Sequence, residues 1–134
     1  MIKHYATPPG HWQHHLEGVD VHQGVKCGNM IFVAGQVAFD PQGNLLFPYD
    51  LERQTRVCME NVQRVLAQFK ATLADIVMVK TYYVGTGQEA DWAPSIRVRQ
   101  EFLGSPMPPS TGIPVPTLTY PGLMTEIEVI AMCD

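Results

Sequence analysis

The stretch Ile76-Val77-Met78-Val79-Lys80-Thr81-Tyr82-Tyr83-Val84 carries β-branched or aromatic residues at both odd and even positions. A strand with apolar side chains on both faces is typical of a sheet that is covered on both sides. We therefore predict a central strand over residues 76–84. A chain of only 134 residues is expected to cover one face of this sheet itself, and a second copy of the protein is expected to cover the other face.

Two helices are predicted on either side of this strand. Over residues 51–69 apolar side chains recur at helical spacing and polar ones fill the opposite side, which indicates a core-facing stripe. Asp50 is a suitable N-cap for this helix. The second helix is predicted from Asp91, as its cap, to Leu103, because Pro94 is tolerated in a first turn.

The remaining segments predict strands around these helices. Residues 1–16 are expected to be irregular, because Pro8, Pro9 and Gly10 interrupt regular structure. The resulting element order indicates one α+β domain over residues 1–134, with a mixed sheet, helices on one face and the other face open. Strands are predicted at 19–25, 30–34, 111–118 and 123–132, with a further short one near Leu45.

Composition and charge exclude several classes of protein. Thirteen acidic against nine basic residues give a net charge of −4, which argues against a nucleic-acid partner. Three cysteines without a C-x-x-C spacing predict neither a disulfide framework nor a structural zinc site. Neither a signal peptide nor an apolar run long enough for a membrane span is present, so a cytoplasmic protein without membrane contact is expected.

The common catalytic motifs are absent from the sequence. It contains no G-x-G-x-x-G, P-loop, H-E-x-x-H or G-x-S-x-G pattern, and no serine follows a predicted strand-turn-helix arrangement. These absences argue against a dinucleotide oxidoreductase, a P-loop NTPase and an α/β-hydrolase.

All five histidines fall within the first 22 residues. His11 together with His14 or His15 has a spacing that can chelate a metal on a helix. We favour a mobile polar segment that binds no metal, because the neighbouring Pro and Gly residues disfavour local order. His22 is expected within the first strand, either facing a pocket or simply satisfied by hydrogen bonds.

Two glutamates in the last predicted strand are the strongest candidates for chemistry. Glu126 and Glu128 alternate with Met124, Ile130 and Met132 onto one face, about 7 Å apart by the rise of a strand. One interpretation is that this face is partly exposed to solvent, or that Lys80 or an arginine pairs with one of the carboxylates. The other is a glutamate with a raised pKa that acts as a general acid or base in a crevice.

Four blocks of sequence resemble a known family. They occur in the family's order and cover roughly residues 18–132: the run from Gln23 to Gln36, residues 52–65 with Gln-Thr-Arg-Val-Cys-Met-Glu-Asn-Val inside them, residues 75–81, and the terminal Glu126-Ile127-Glu128-Val129-Ile130-Ala131. The chain is similar to the reactive-intermediate deaminases, also called RidA or YjgF, which are also described as endoribonuclease L-PSP.

The resemblance implies a chorismate-mutase-like α+β fold and a homotrimer with small-molecule pockets at the subunit interfaces. Members typically hydrolyse reactive enamines and imines to a keto acid and ammonia, and they need no cofactor themselves. It implies a catalytic role for Glu126, which positions or activates water. Substrate-binding backbone amides are implied at Gly35, Gln36 and Val37.

Other positions depart from what the family implies. The arginine that clamps the substrate carboxylate falls on Thr111, next to Gly112, and neither residue can replace a guanidinium. An aromatic hydroxyl falls near Val21, an asparagine on Ile96 and a cysteine on Ile113. The resemblance therefore favours a divergent member with a different substrate.

Three functions remain open from the sequence. The first is a deaminase or hydrolase that acts on a small enamine, imine or related unsaturated amine, with His22, Arg97 or Arg99 as a substitute anchor. The second is a non-catalytic module that binds a small metabolite. The third is an endoribonuclease that inhibits translation, which the acidic charge disfavours.

Overall fold

The computed structural model describes residues 1–13 and 15–134. Helix α1 (Leu51–Ala67) forms where the apolar periodicity predicts it and ends at Ala67 instead of residue 69. Asp50 is its N-cap, and its Oδ1 accepts a hydrogen bond of 3.0 Å from the backbone N–H of Arg53. The apolar stripe is core-facing as predicted, because Cys58, Val62, Val65 and Leu66 are all fully buried.

The second helix, α2 (Glu89–Leu103), begins two residues before the predicted start, and Gln88 is its N-cap. The prediction that Asp91 caps the helix was wrong. Asp91 is a residue of the first turn of α2. Its carboxylate accepts a hydrogen bond of 2.9 Å from the backbone N–H of Thr86 and so stabilises the turn that precedes the helix. Within residues 1–13 and 15–134, no helix combines the length and hydropathy needed to cross a bilayer.

The described residues form six strands: β1 (Lys3–Ala6), β2 (Gly24–Cys27), β3 (Met30–Gln36), β4 (Ile76–Val84), β5 (Ser110–Val115) and β6 (Thr125–Met132). They make one mixed sheet in the order β1-β2-β3-β6-β4-β5. The predicted central strand is confirmed, since β4 pairs with β6 on one side and with β5 on the other. The β4–β5 pair is parallel and the other pairs are antiparallel.

Three details of the sheet differ from the predictions. Strand β1 lies within the segment expected to be irregular, because its backbone pairs with β2 across the edge of the sheet. Residues 19–23, expected to be extended, precede β2 and form no strand. Near Leu45 the structure has a single bridge to Phe39 instead of a short strand.

The two helices cover one face of the sheet, and the α+β class is confirmed. On that face Ile127, Val129 and Ala131 of β6 lie in the main core with residues of α1. The opposite face is not covered within the chain. The apolar side chains on this uncovered face include Phe32 and Met78, which are 40% and 42% exposed.

A second, smaller core lies beyond the end of the sheet. It is formed by Val37, Phe39 and Leu123, with Trp12, Leu45 and Leu118 packed against it. This cluster fixes the chain that enters β6, and it forms one wall of the pocket described below.

Gln54 of α1 attaches the same chain segment to the helix. Its Nε2 donates to the carbonyl oxygens of Phe47 and Gly122, at 2.9 and 2.8 Å, and its Oε1 accepts from the backbone N–H of Met124 at 2.7 Å. The Gln54 side chain is fully buried. Its three hydrogen bonds therefore satisfy backbone groups that would otherwise need water as a partner.

Candidate functional site

Glu126 lies on the uncovered face of β6, against Gly35 of β3. The pairing of these strands shifts register between Val33 and Gln36, so the chain bulges at Gly35. A Cβ atom on Gly35 would overlap the Glu126 carboxyl group. Only glycine therefore lets the carboxylate lie against this backbone.

The two glutamates of β6 have different environments. Burial raises the pKa of Glu126, and the nearby charge of Glu128 raises it further. Glu128 instead pairs with Lys80, Oε1 to Nζ 3.3 Å, and its Oε1 also accepts a hydrogen bond of 3.3 Å from the Tyr82 hydroxyl. The expected lysine pairing thus holds for Glu128, whereas Glu126 is the general acid or base candidate.

Glu126 lines a pocket of about 410 Å³. We call it the glutamate pocket, and one of its walls is aromatic. The Trp12 and Phe39 rings pack edge to face with 5.2 Å between their centroids, and the Phe39 and Tyr120 rings do so with 5.1 Å between theirs. The volume suits a small organic molecule. The lining residues also include Gly35, Val37, Leu123, Gln13, Gln42 and His15.

The indole Nε1–H of Trp12, a residue that lines the glutamate pocket, is buried and has no hydrogen-bond partner within residues 1–13 and 15–134. A buried N–H without a hydrogen bond is unfavourable. The pocket offers a ligand a carboxyl group and an aromatic surface.

A buried network holds the N-terminal segment against the sheet. His11 Nε2 donates to Gln36 Oε1 at 2.9 Å, and Gln36 Nε2 donates to Gln23 Oε1 at 2.8 Å. Burial lowers the pKa of His11 and Arg64 lowers it further, while the Gln36 hydrogen bond raises it. The prediction that this histidine belongs to a mobile polar segment was wrong, because it is 5% exposed and anchors Trp12 beside the pocket.

The other histidines of the proposed chelating set are placed differently. His15 lines the glutamate pocket, and His14 lies outside the described residues. Over the described part of the chain, no group of three or more His, Cys, Asp or Glu side chains is arranged to hold a metal ion. The three cysteines are free thiols.

Three of the predicted site residues line the glutamate pocket. These are Gly35, Val37 and Glu126, which come together because β3 and β6 are neighbours in the sheet. Gln36 does not line it, because its side chain is fully buried in the hydrogen-bond network with His11.

The remaining predicted positions lie elsewhere. Thr111 and Ile113 of β5 are in register with Lys80 and Tyr82 of β4, on the side of the sheet that carries Glu126 and Glu128. Val21 is 52% exposed in the chain before β2.

Ile96 and Gly112 line a separate pocket of about 260 Å³ between α2 and the sheet. The predicted substrate-binding positions therefore do not form a single site within this chain.

The three residues proposed as substitute substrate anchors lie in different parts of the structure. His22 precedes β2 instead of lying within it, with its Nε2 3.6 Å from Oδ2 of Asp20. Arg97 is exposed on α2, whereas Arg99 is 4% exposed and lines the same pocket as Ile96. None of the three lines the glutamate pocket.

Sequence reasoning missed the aromatic wall of the glutamate pocket. Trp12, Phe39 and Tyr120 lie outside regular helices and strands, so periodicity gives no signal for them. The one signal in the sequence that points to these residues is that large aromatic side chains next to turn-forming segments are usually buried. The Gly35–Glu126 contact depends on strand order, which local pattern does not specify.

The fold and the glutamate pocket define an α+β protein with a half-buried acid–base group at the end of an open mixed sheet. Residues 20–133 match the family model described as endoribonuclease L-PSP. This protein belongs to that family, and the resemblance to RidA and YjgF proteins is confirmed.

Individual relatives agree with this assignment. A RutC family protein of Pyrococcus abyssi is 33% identical over 109 residues, covering 81% of this chain and 83% of the relative. A solved structure described as a putative endoribonuclease from Thermotoga maritima has a TM-score of 0.84 at 25% identity and covers 99% of both chains. RidA from an Antarctic Psychrobacter has the same fold, with a TM-score of 0.82 at 23% identity over 97% of this chain and 99% of that one.

Proposed function

We propose that this protein is a cofactor-independent deaminase of small enamines or imines in which Glu126 activates water. The observation that carries the proposal is the Glu126 carboxyl group, held half-buried against Gly35 with a raised pKa, in a pocket of about 410 Å³. A carboxyl group whose pKa is raised toward neutral is both a better base and a usable acid near pH 7.

The reaction needs one such group. The Glu126 carboxylate accepts a proton from water while the water oxygen bonds to the carbon of the C=N group, and the carboxyl group then passes this proton to the nitrogen to give a neutral carbinolamine. The carboxylate next takes the hydroxyl proton of the carbinolamine and delivers it to the nitrogen as the C–N bond breaks and the C=O bond forms. The products are a carbonyl compound and ammonia, so the protein ends in its starting state.

The lining of the glutamate pocket favours an unsaturated substrate of low charge. Trp12, Phe39 and Tyr120 present ring surfaces on which a conjugated system can stack. Thr111 stands where the family has its carboxylate-clamping arginine, and no arginine of the described residues lines the pocket. A substrate that depends on a bidentate carboxylate contact is therefore expected to react slowly.

We also propose that three copies assemble through the uncovered sheet face and complete the glutamate pockets at their interfaces. Exposed Phe32, Met78 and Met132 on this face support the assembly, each being about 40% exposed in the isolated chain. A groove of about 240 Å³ between Phe32 and Glu128 continues across the face. Burying these apolar side chains would supply the driving force for association.

The test is ammonia release over a panel of enamines and imines that vary in charge and conjugation. Glu126→Gln should lower the rate by about a hundredfold or more, because the amide cannot accept the proton. Glu128→Gln is the matched control, since it makes the same chemical change on the same strand, and it should retain most activity. Equal rates in Glu126→Gln and the unmodified protein would contradict the proposal. Ligand binding without turnover across the panel would instead support a non-catalytic metabolite-binding module.

A further inference from the structure

A buried arginine on the helix-covered side of the sheet lacks an acidic partner. Arg99 lies in α2 and is 4% exposed. Its Nη1 donates to the Ser110 hydroxyl at 3.1 Å, but its Nε–H is buried without a hydrogen bond. Among residues 1–13 and 15–134, no carboxylate forms an ion pair with it. Such an isolated buried cation is unfavourable unless an anion joins it.

The guanidinium faces a cavity that has room for that anion. It is the pocket of about 260 Å³ between α2 and strands β4 and β5, here called the arginine pocket. Thr81 also lines it, is 1% exposed, and has a hydroxyl group without a partner within the described residues. Ser95 and Ser110 add two more hydroxyl groups. Two residues on different elements, each with a buried and unsatisfied polar atom, therefore line one space.

The other walls of the arginine pocket are apolar or lack a side chain. Trp92 and Ile96 line it from α2. Gly112 lines it from β5, and a Cβ there would come 3.6 Å from the Tyr83 ring. In the part of the chain that the structure describes, no carboxylate lines this space. The polar groups thus suit an anion, and the remaining walls suit a short hydrocarbon tail.

We propose that the arginine pocket binds a small monocarboxylate, with Arg99 holding the carboxylate and Thr81 donating a hydrogen bond to it. One guanidinium neutralises one negative charge, and its free N–H matches a carboxylate oxygen. The volume of about 260 Å³ suits a small ligand.

The electrostatics of the isolated chain agree with this assignment. Burial lowers the pKa of Arg99, and no acidic group raises it. A bound carboxylate would remove that penalty by supplying the missing opposite charge.

This proposal does not rest on the deaminase activity. Thr81 and Arg99 lie on the helix-covered side of the sheet, whereas Glu126 lies on the uncovered side, and the two pockets share no lining residue. The arginine pocket is therefore tested by binding alone.

The experiment is a titration of the unmodified protein with propanoate, followed by ¹H–¹⁵N NMR of backbone amides and arginine Nε–H groups. For so small a ligand a millimolar dissociation constant is expected. The Arg99 Nε–H signal and the amide of Gly112 should shift with one common dissociation constant, while the amides of Gly35 and Val37 stay in place. Propanamide, which has the same shape without the charge, should not shift them.

Variants assign the effect to the guanidinium. Arg99→Met should weaken propanoate binding by at least about tenfold, because it removes the charge and keeps an unbranched side chain. Arg97→Met is the matched control, an exposed arginine on the same helix, and should leave binding within about twofold. If Arg99→Met does not fold, Thr81→Val tests the same site, since it removes only an unpartnered hydroxyl, and it should weaken binding severalfold.

Three results would overturn the proposal. Propanoate could cause no shifts at Arg99 and Gly112, or propanamide could bind equally well. Alternatively, propanoate could fail to bind while Arg99→Met lowers the molar mass seen by light scattering. That result would mean that an acidic group of a second subunit already neutralises this arginine.

Discussion

The carboxyl group of Glu126 occupies the space that a side chain on Gly35 would need. Gly35 lies where β3 changes register against β6, and Glu126 is next to Ile127, which pairs with Gln36, so the irregular backbone of one strand receives a side chain from its neighbour. Any side chain at position 35 must displace the carboxyl group or distort the sheet.

We therefore expect Gly35→Ala to lower the free energy of unfolding by about 1–3 kcal/mol, the usual cost of overpacking. It should also abolish the ammonia release that depends on Glu126. The double variant Gly35→Ala/Glu126→Ala should recover stability relative to the sum of the two single variants, because truncation frees the contested space. Urea unfolding of all four proteins measures this coupling, and strictly additive effects would contradict the steric contact.

The raised pKa of Glu126 predicts how stability depends on pH. The folded protein holds a proton on this carboxyl group at pH values where the unfolded chain has lost it. The added stability is therefore fully present below the unfolded pKa of glutamate and is lost as pH rises through the folded pKa. Glu126→Gln should remove this decrease in the free energy of unfolding between the two pKa values. At pH values above the folded pKa, the variant should therefore be more stable than the unmodified protein. Thermal unfolding across pH checks the prediction, and an unchanged pH profile in Glu126→Gln would count against it.

The charge of Glu128 contributes to that raised pKa. We expect Glu128→Gln to lower the pKa of Glu126, which ¹³C NMR of the side-chain carboxyl can follow directly. The acidic limb of a pH–rate profile, which reports the deprotonation of Glu126, should move to lower pH by the same amount. A pKa that does not move would show that burial alone is responsible.

Gln54 should contribute strongly to stability, because its amide makes three hydrogen bonds to the chain around the second core. Gln54→Leu leaves those backbone groups unsatisfied and should lower the free energy of unfolding by about 3 kcal/mol or more, near 1 kcal/mol per lost bond. Gln63→Leu, an exposed change on the same helix, should stay within about 0.5 kcal/mol. Similar losses in the two variants would contradict the assigned role.

The proposed trimer predicts that a charge on the uncovered sheet face prevents assembly. Phe32→Glu should give a monomer in light scattering, because a buried unpaired carboxylate would be costly in the interface. Val19→Glu places the same charge at a residue of similar exposure outside the sheet and should leave assembly intact. A trimeric Phe32→Glu protein would exclude this face as the interface.

Thr111→Arg tests the missing carboxylate clamp. Position 111 lies in register with Lys80, whose amine already pairs with Glu128. We expect a modest gain in ammonia release from 2-aminoacrylate, since the new guanidinium adds a carboxylate contact but meets a neighbouring like charge. Thr111→Gln, which adds length without charge, should give no gain. If the unmodified protein already matches an arginine-bearing family member on this imine, the clamp is not what limits its rate.

Local pattern alone identified much of the fold. The two-sided apolar stretch at 76–84 and the periodic stripe after Asp50 define β4 and α1, because burial selects the same side chains whatever the partner. The alternation in β6 likewise separated Glu126 from the core-facing Ile127. Strand β1 was not recognised, since a short exposed edge strand is stabilised by pairing and carries no apolar pattern.

The sequence by itself therefore determined the α+β class, the family and the candidate role of Glu126, because these depend on residue type and short-range spacing. Only the tertiary structure brought Glu126 against Gly35 and placed Trp12 and Tyr120 around it. It also placed Arg99 beside Thr81, away from any acidic group of the described chain. Those contacts join residues far apart along the chain, and strand order and side-chain packing decide them, which no local pattern encodes.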